Sequence, residues 1–94
     1  MINTKQQLSL EDISKAGEKF YAEKLKEKLE KENMGQYVVI DVEQEKYHID
    51  TDRLVALEKA MKEFGNKLFY IVQIGNVQHP SINFNAKRYA WNFW

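Results

Sequence analysis

Cysteine is absent from the 94 residues, which removes disulfides, thiolate nucleophiles and cysteine zinc sites from consideration. Proline occurs once, at Pro80, and the four glycines stand singly. No glycine-rich loop therefore offers consecutive backbone amides to a phosphate group. No run approaches the ~18 apolar residues of a spanning helix, and the opening residues Met1–Gln7 lack the apolar core of a signal peptide. A soluble, cytoplasmic protein is the expectation. Neither charge sign is in excess, since fourteen basic residues balance fourteen acidic ones. A neutral chain exerts no global pull on nucleic acid or membrane, and nothing holds two copies of it apart.

What the chain does have is apolar material. Hydrophobic residues make up 44% and aromatic residues 13%, too much for a disordered segment. The length suits one small domain with a thin core. Residues 1–10 read as a flexible N-terminus. Ser9-Leu-Glu-Asp12 has the form of a capping box, opening a helix over 11–33. Its apolar stripe is Ile13, Ala16, Phe20, Leu25 and Leu29 with Tyr21 beside it, Gly17 lies on the stripe as a close-packing position, and the opposite surface alternates Lys and Glu. Asn33-Met-Gly35 ends the helix.

The segment 35–75 predicts a β-β-α-β core. Val38, Ile40 and Val42 share one side of a first strand and Tyr37, Val39 and Asp41 the other, so that both faces are covered. A turn centred on Gln44-Glu45 sets Glu43 against Lys46, Val42 against Tyr47, Asp41 against His48 and Ile40 against Ile49. Thr51 or Asp52 caps a second helix, whose stripe is Leu54, Leu57, Met61 and Phe64 with Ala60, and Gly65-Asn66 stops it. Leu68–Ile74 is apolar except for Gln73 and forms a third strand, parallel to the second and beside the first. The expected class is α+β, with a small mixed sheet of order 2-1-3. In that arrangement the helix over 52–64 packs on Val38, Ile40 and Val42, and the N-terminal helix covers what remains.

From Val77 onward there is no acidic residue; Lys87 and Arg88 are the only lysine and arginine, and both tryptophans fall here. His79-Pro80 reads as a loop. In extended form Tyr89, Trp91 and Phe93 share a face, as do Ile82 and Phe84. An aromatic side chain buries ~150–250 Å², so this segment needs a surface to lie on. It either folds back as a fourth strand or cover, docks a second chain, or stacks nucleic-acid bases beside Lys87 and Arg88. The candidate partner-binding residues are Phe84, Lys87, Arg88, Tyr89, Trp91, Phe93 and Trp94.

Candidates for chemistry are few. Asp41 opposite His48, with Asp50 nearby, has the composition of an oriented general base but lacks a nucleophile, and reads as a surface cross-strand pair. A metal set from His48, His79, Asp50 and Asp52 lacks ligand spacing. No catalytic, metal or cofactor site is expected, and the chain is expected not to be an enzyme.

The block Gly35-Gln-Tyr-Val-Val-Ile-Asp-Val-Glu, with Tyr47-His-Ile-Asp50 and Phe64-Gly-Asn-Lys-Leu-Phe-Tyr-Ile-Val-Gln-Ile-Gly75, resembles a family of small uncharacterised prokaryotic proteins with a charged helix before a β-β-α-β core. The resemblance covers about residues 12 to 75. It implies this fold, a prokaryotic origin and a protein partner of the toxin–antitoxin kind, and it supplies no catalytic residue. The composition and the tail lead to a non-enzymatic interaction module that self-associates and docks a protein through its aromatic end. A nucleic-acid-binding regulator using Lys87 and Arg88 is the alternative.

Overall fold

The computed structural model describes residues 9–83. The order is α1 (Leu10–Phe20), a π-helical segment (Tyr21–Leu25), α2 (Lys26–Glu32), β1 (Tyr37–Asp41), β2 (Lys46–Asp50), α3 (Arg53–Phe64), β3 (Tyr70–Gln73) and β4 (Asn76–Ile82). The strands form one sheet of order β2-β1-β3-β4. Every adjacent pair is antiparallel, so β2 and β3 run the same way on either side of β1. The α+β class and the order 2-1-3 are as the sequence implies, and the fourth strand extends that order.

Local chemistry accounts for the ends. Ser9 accepts the Asp12 N–H at 3.0 Å while the Asp12 carboxylate accepts the Ser9 N–H, completing the capping box. Asp52, not Thr51, caps α3 by accepting the Leu54 N–H at 2.8 Å. Gly65 ends α3 with φ +99°, a conformation that costs glycine nothing.

The helices lie on opposite faces from those expected. Val38, Ile40, Tyr70, Val72 and Ile74 pack with Ile13, Tyr21, Leu25 and Leu29 of the N-terminal helical run. The other face, Val39, Phe69 and Ile71, packs with Ala56, Leu57 and Ala60 of α3. The buried stripe of α3 therefore turns through its alanines, and Leu54 is exposed. Two alanines let the helix sit close to the sheet.

The N-terminal run buries Ile13, Gly17, Tyr21, Leu25 and Leu29, every fourth residue. In a regular α-helix each such step overshoots a full turn by about 40°, so the stripe drifts off the sheet within a few turns. The Lys26 N–H instead bonds the Tyr21 carbonyl, a wider π turn that brings Leu25 and Leu29 back over β1 and β3. The sequence signal was present in the unbroken spacing of four, which Gly17 completes.

Two tyrosines are buried between this run and the sheet, Tyr21 from the run and Tyr70 from β3. The Tyr21 hydroxyl donates to Glu30 at 3.0 Å and accepts the Gly75 N–H at 3.2 Å. Burial raises the pKa of the Tyr21 hydroxyl; the Gly75 N–H opposes that rise and Glu30 adds to it. Tyr70 is pushed up to about 12, chiefly by burial and further by the negative charge of Glu18. A phenol with a folded pKa above its ordinary 10.0 contributes stability that is whole below pH 10 and is lost as the pH rises through 12. Urea midpoints are therefore expected to fall steeply over that interval, and the fall to shrink in Tyr70→Phe; an unchanged alkaline profile in that variant counts against the assignment.

The β1–β2 register differs by two from the one expected: Asp41 faces Lys46, Ile40 faces Tyr47, Val39 faces His48 and Val38 faces Ile49. The even shift leaves each side chain on its expected face. Its cause is Asp41, whose Oδ1 accepts the N–H of Glu43 at 3.1 Å and of Gln44 at 3.4 Å while its carbonyl accepts that of Glu45 at 2.8 Å. Glu45 takes φ +57° to close this longer loop. An aspartate that organises the turn after it is the signal the sequence carried in place of Asn-Gly.

Candidate functional site

Asp41 and His48 do not form a pair. Asp41 is buried, and Lys67 donates to its Oδ2 at 3.1 Å and to Glu43 at 3.1 Å. Burial works against the Lys67 charge, yet the two carboxylates outweigh it and hold the ammonium above its usual pKa. His48 instead contacts Glu63 of α3 and lies 5.3 Å from the Phe64 ring. Asp50 pairs with Lys59 at 2.8 Å and accepts the Asp52 N–H at 3.0 Å; the Lys59 bond is the larger of the effects that lower its pKa. Each member of the general-base and metal sets thus serves the hairpin or a helix cap, apart from His79. Among the described residues no group of three or more His, Asp or Glu is placed to hold a metal ion.

His79-Pro80 is not a loop but part of β4. Gln73 faces Asn76, while Ile71 faces Ser81, so β4 carries extra residues between those pairs. Pro80 sits in that irregular stretch on an edge strand, where no ladder donor is required of it. Beyond it Asn83 is buried, and Ile82 packs against the N-terminal core. The candidate partner residues Phe84, Lys87, Arg88, Tyr89, Trp91, Phe93 and Trp94 lie outside the described residues.

Two surface features converge on the β3–β4 hairpin. The first is apolar: Met34 is 62% exposed and lies against Gly75, and Val77 is 42% exposed two residues further on. The second is a polar cleft of about 150 Å³ on the α3 face. A single α-helix, about 10 Å across, spans roughly two strands spaced about 4.8 Å apart, and α3 lies chiefly over β1 and β2, reaching β3 at Ile71. The part of that face beyond Ile71, toward Gln73 and β4, is left as a shelf. Tyr37, Arg53, Gln73, Asn76, His79 and Ser81 line it together with the edges of Ile71 and Val72. The Arg53 guanidinium donates to Ser81 Oγ at 2.7 Å, bridging the start of α3 to β4. Gln73 donates to the Gly35 carbonyl at 3.0 Å and accepts from Asn76 at 3.3 Å, which fixes the far wall. Sequence reasoning missed this cluster because its members come from four separate elements, and no spacing links them.

No helix of the described residues is long and apolar enough to cross a membrane. No family model matches the chain, and no significant match exists among curated proteins or solved structures.

Proposed function

We propose that the chain is a non-enzymatic interaction module that associates with a second copy of itself through the free edge of β4 and the aromatic segment following it, and docks a protein partner, antitoxin-like or accessory, on the same surface. The observation that carries this reading is β4 itself. It has no hydrogen-bonded neighbour on its outer side among the described residues, and from Asn76 to Ile82 it contains no Lys, Arg, Asp or Glu. Edge strands are ordinarily protected by such charges, and the opposite edge, β2, carries Lys46, His48 and Asp50. The irregular stretch between Asn76 and Ser81 presents the exposed Val77, which with Met34 beside Gly75 supplies the apolar part of the docked surface. A neutral chain sets no repulsion against such pairing.

Sedimentation of the full-length chain, of Val77→Lys and of Trp91→Ser tests this. The intact chain is expected to sediment as a dimer, with either variant weakening association by roughly tenfold or more, as for a residue near an interface centre. An intact chain that stays a single copy at high micromolar concentration refutes self-association. A dimer that neither variant weakens places the interface elsewhere.

A further inference from the structure

We infer that the cleft between the start of α3 and the β3–β4 hairpin is a binding site for a small oxyanion, a phosphate or carboxylate group of a small molecule. The inference is independent of the strand-edge reading, because the cleft lies on the α3 face of the sheet and not on its outer edge. Arg53 and His79 line the cleft with the hydroxyl-bearing Tyr37 and Ser81 and the amides of Gln73 and Asn76, and no carboxylate is among the described residues that line it. Arg53 makes no ion pair with a carboxylate among the described residues; its guanidinium donates to the neutral Ser81 hydroxyl. A guanidinium held in place by a hydroxyl keeps donors for a planar or tetrahedral oxyanion, the chemistry to which its fork is suited. The nearest acids along the chain are committed elsewhere: Asp50 to Lys59 and the Asp52 N–H, and Asp52 to the Leu54 N–H.

The comparison cleft between the N-terminal helix and the β1–β2 loop argues the same way. It is of similar size, about 170 Å³, but Lys19 and Lys24 share it with Glu23 and Glu45, so it is self-neutralised. At about 150 Å³ the α3-side cleft holds one charged group and is too small for a cofactor-sized ligand, whose pockets start near 300 Å³.

Amide spectra of the isotope-labelled full-length chain, titrated separately with inorganic phosphate, acetate and chloride at constant pH and ionic strength, decide the matter. Saturable shifts at Arg53, Gln73, His79 and Ser81 are expected with phosphate, acetate or both, and none with chloride; the better of the two names the ligand class. Arg53→Gln is expected to weaken binding by roughly tenfold, the effect of removing one charge-assisted hydrogen-bonding partner, whereas Lys24→Gln in the other cleft changes nothing. Ser81→Ala, which frees the guanidinium without removing it, is expected to weaken binding less and serves where Arg53→Gln does not fold. Absence of saturable shifts, or binding unaltered in both cleft variants, overturns the proposal.

Discussion

Gly17→Ala is expected to destabilise the chain by about 2 kcal/mol, although the same change in the middle of an ordinary exposed helix stabilises by about 1 kcal/mol. The sign reverses because of what lies opposite. Gly17 is buried in the N-terminal helix, and a methyl group built there falls within the Tyr70 ring, with the Tyr70 Cβ only 2.6 Å away. Tyr70 has no free direction to retreat, being buried in β3 among the residues of the N-terminal core. Either the ring leaves its rotamer or the helix lifts from the sheet, and lifting opens the contacts of Ile13 and Tyr21 on either side. Overpacking of this kind costs about 1–3 kcal/mol and occasionally more. Chemical denaturation of Gly17→Ala beside Gly35→Ala checks it. Gly35 has φ +89° with open space around it, so its variant reports backbone strain alone. A stabilised Gly17→Ala means that the helix does not rest on Tyr70.

Much of the architecture was legible because the signals were local. The capping box at Ser9 and Asp12, the stop at Gly65 and the doubly apolar β1 each follow from a few neighbouring residues, and each is found in place. The register of the first hairpin was not legible from pair matching. Charges and hydrophobes agree almost as well two residues apart, and the decision rests with the Asp41 side chain folded over its own turn. The choice of face for α3 was misread for a related reason. Leu57, Ala60, Met61 and Phe64 of the expected stripe do pack on the sheet, but Leu54, which outweighs Ala56 on any hydrophobic count, is exposed while Ala56 is fully buried, because close approach to Val39 and Ile71 favours the smaller side chain.

The site was less legible still. Arg53 reads as an ordinary first residue of a helix, and Ser81 as a turn residue after a proline. Only the fold brings them within 2.7 Å, across a separation of 28 positions. The tail offered a stronger signal, in its aromatics and missing acids, but such a composition states only that a surface is wanted. The structure adds that the strand preceding it in sequence, β4, is an edge strand among the described residues, and the one of the two edges without Lys, Arg, Asp or Glu.

Asn83→Ala is expected to cost about 3 kcal/mol, more than its place at the end of a strand suggests. The Asn83 amide acts as the last rung of the β3–β4 ladder: its Oδ1 accepts the Phe69 N–H at 2.6 Å and its Nδ2 donates to the Lys67 carbonyl at 3.0 Å. Phe69 has no exposed surface, and Asn83 itself is 3% exposed, so water does not readily replace either bond. Alanine leaves a buried donor and an acceptor unpaired, each worth about 1–3 kcal/mol when orphaned. The effect spreads along the chain, since Phe69 anchors the α3 core against Phe64 at 6.3 Å and Lys67 neutralises the buried Asp41 that shapes the first hairpin. Loss of the rung therefore loosens both the α3 face and the turn at Asp41, two regions that do not adjoin in sequence. Hydrogen exchange separates this account from a simple loss of packing. The Phe69 amide is expected to lose protection first and furthest in Asn83→Ala, while Val38 and Ile40 amides change only with global stability. Asn83→Asp keeps the acceptor but forfeits the donor and introduces a buried charge beside the Lys67 carbonyl, so it is expected to be no milder than alanine. Unchanged protection at Phe69 in either variant shows that the backbone between Lys67 and Phe69 is held by something other than this side chain.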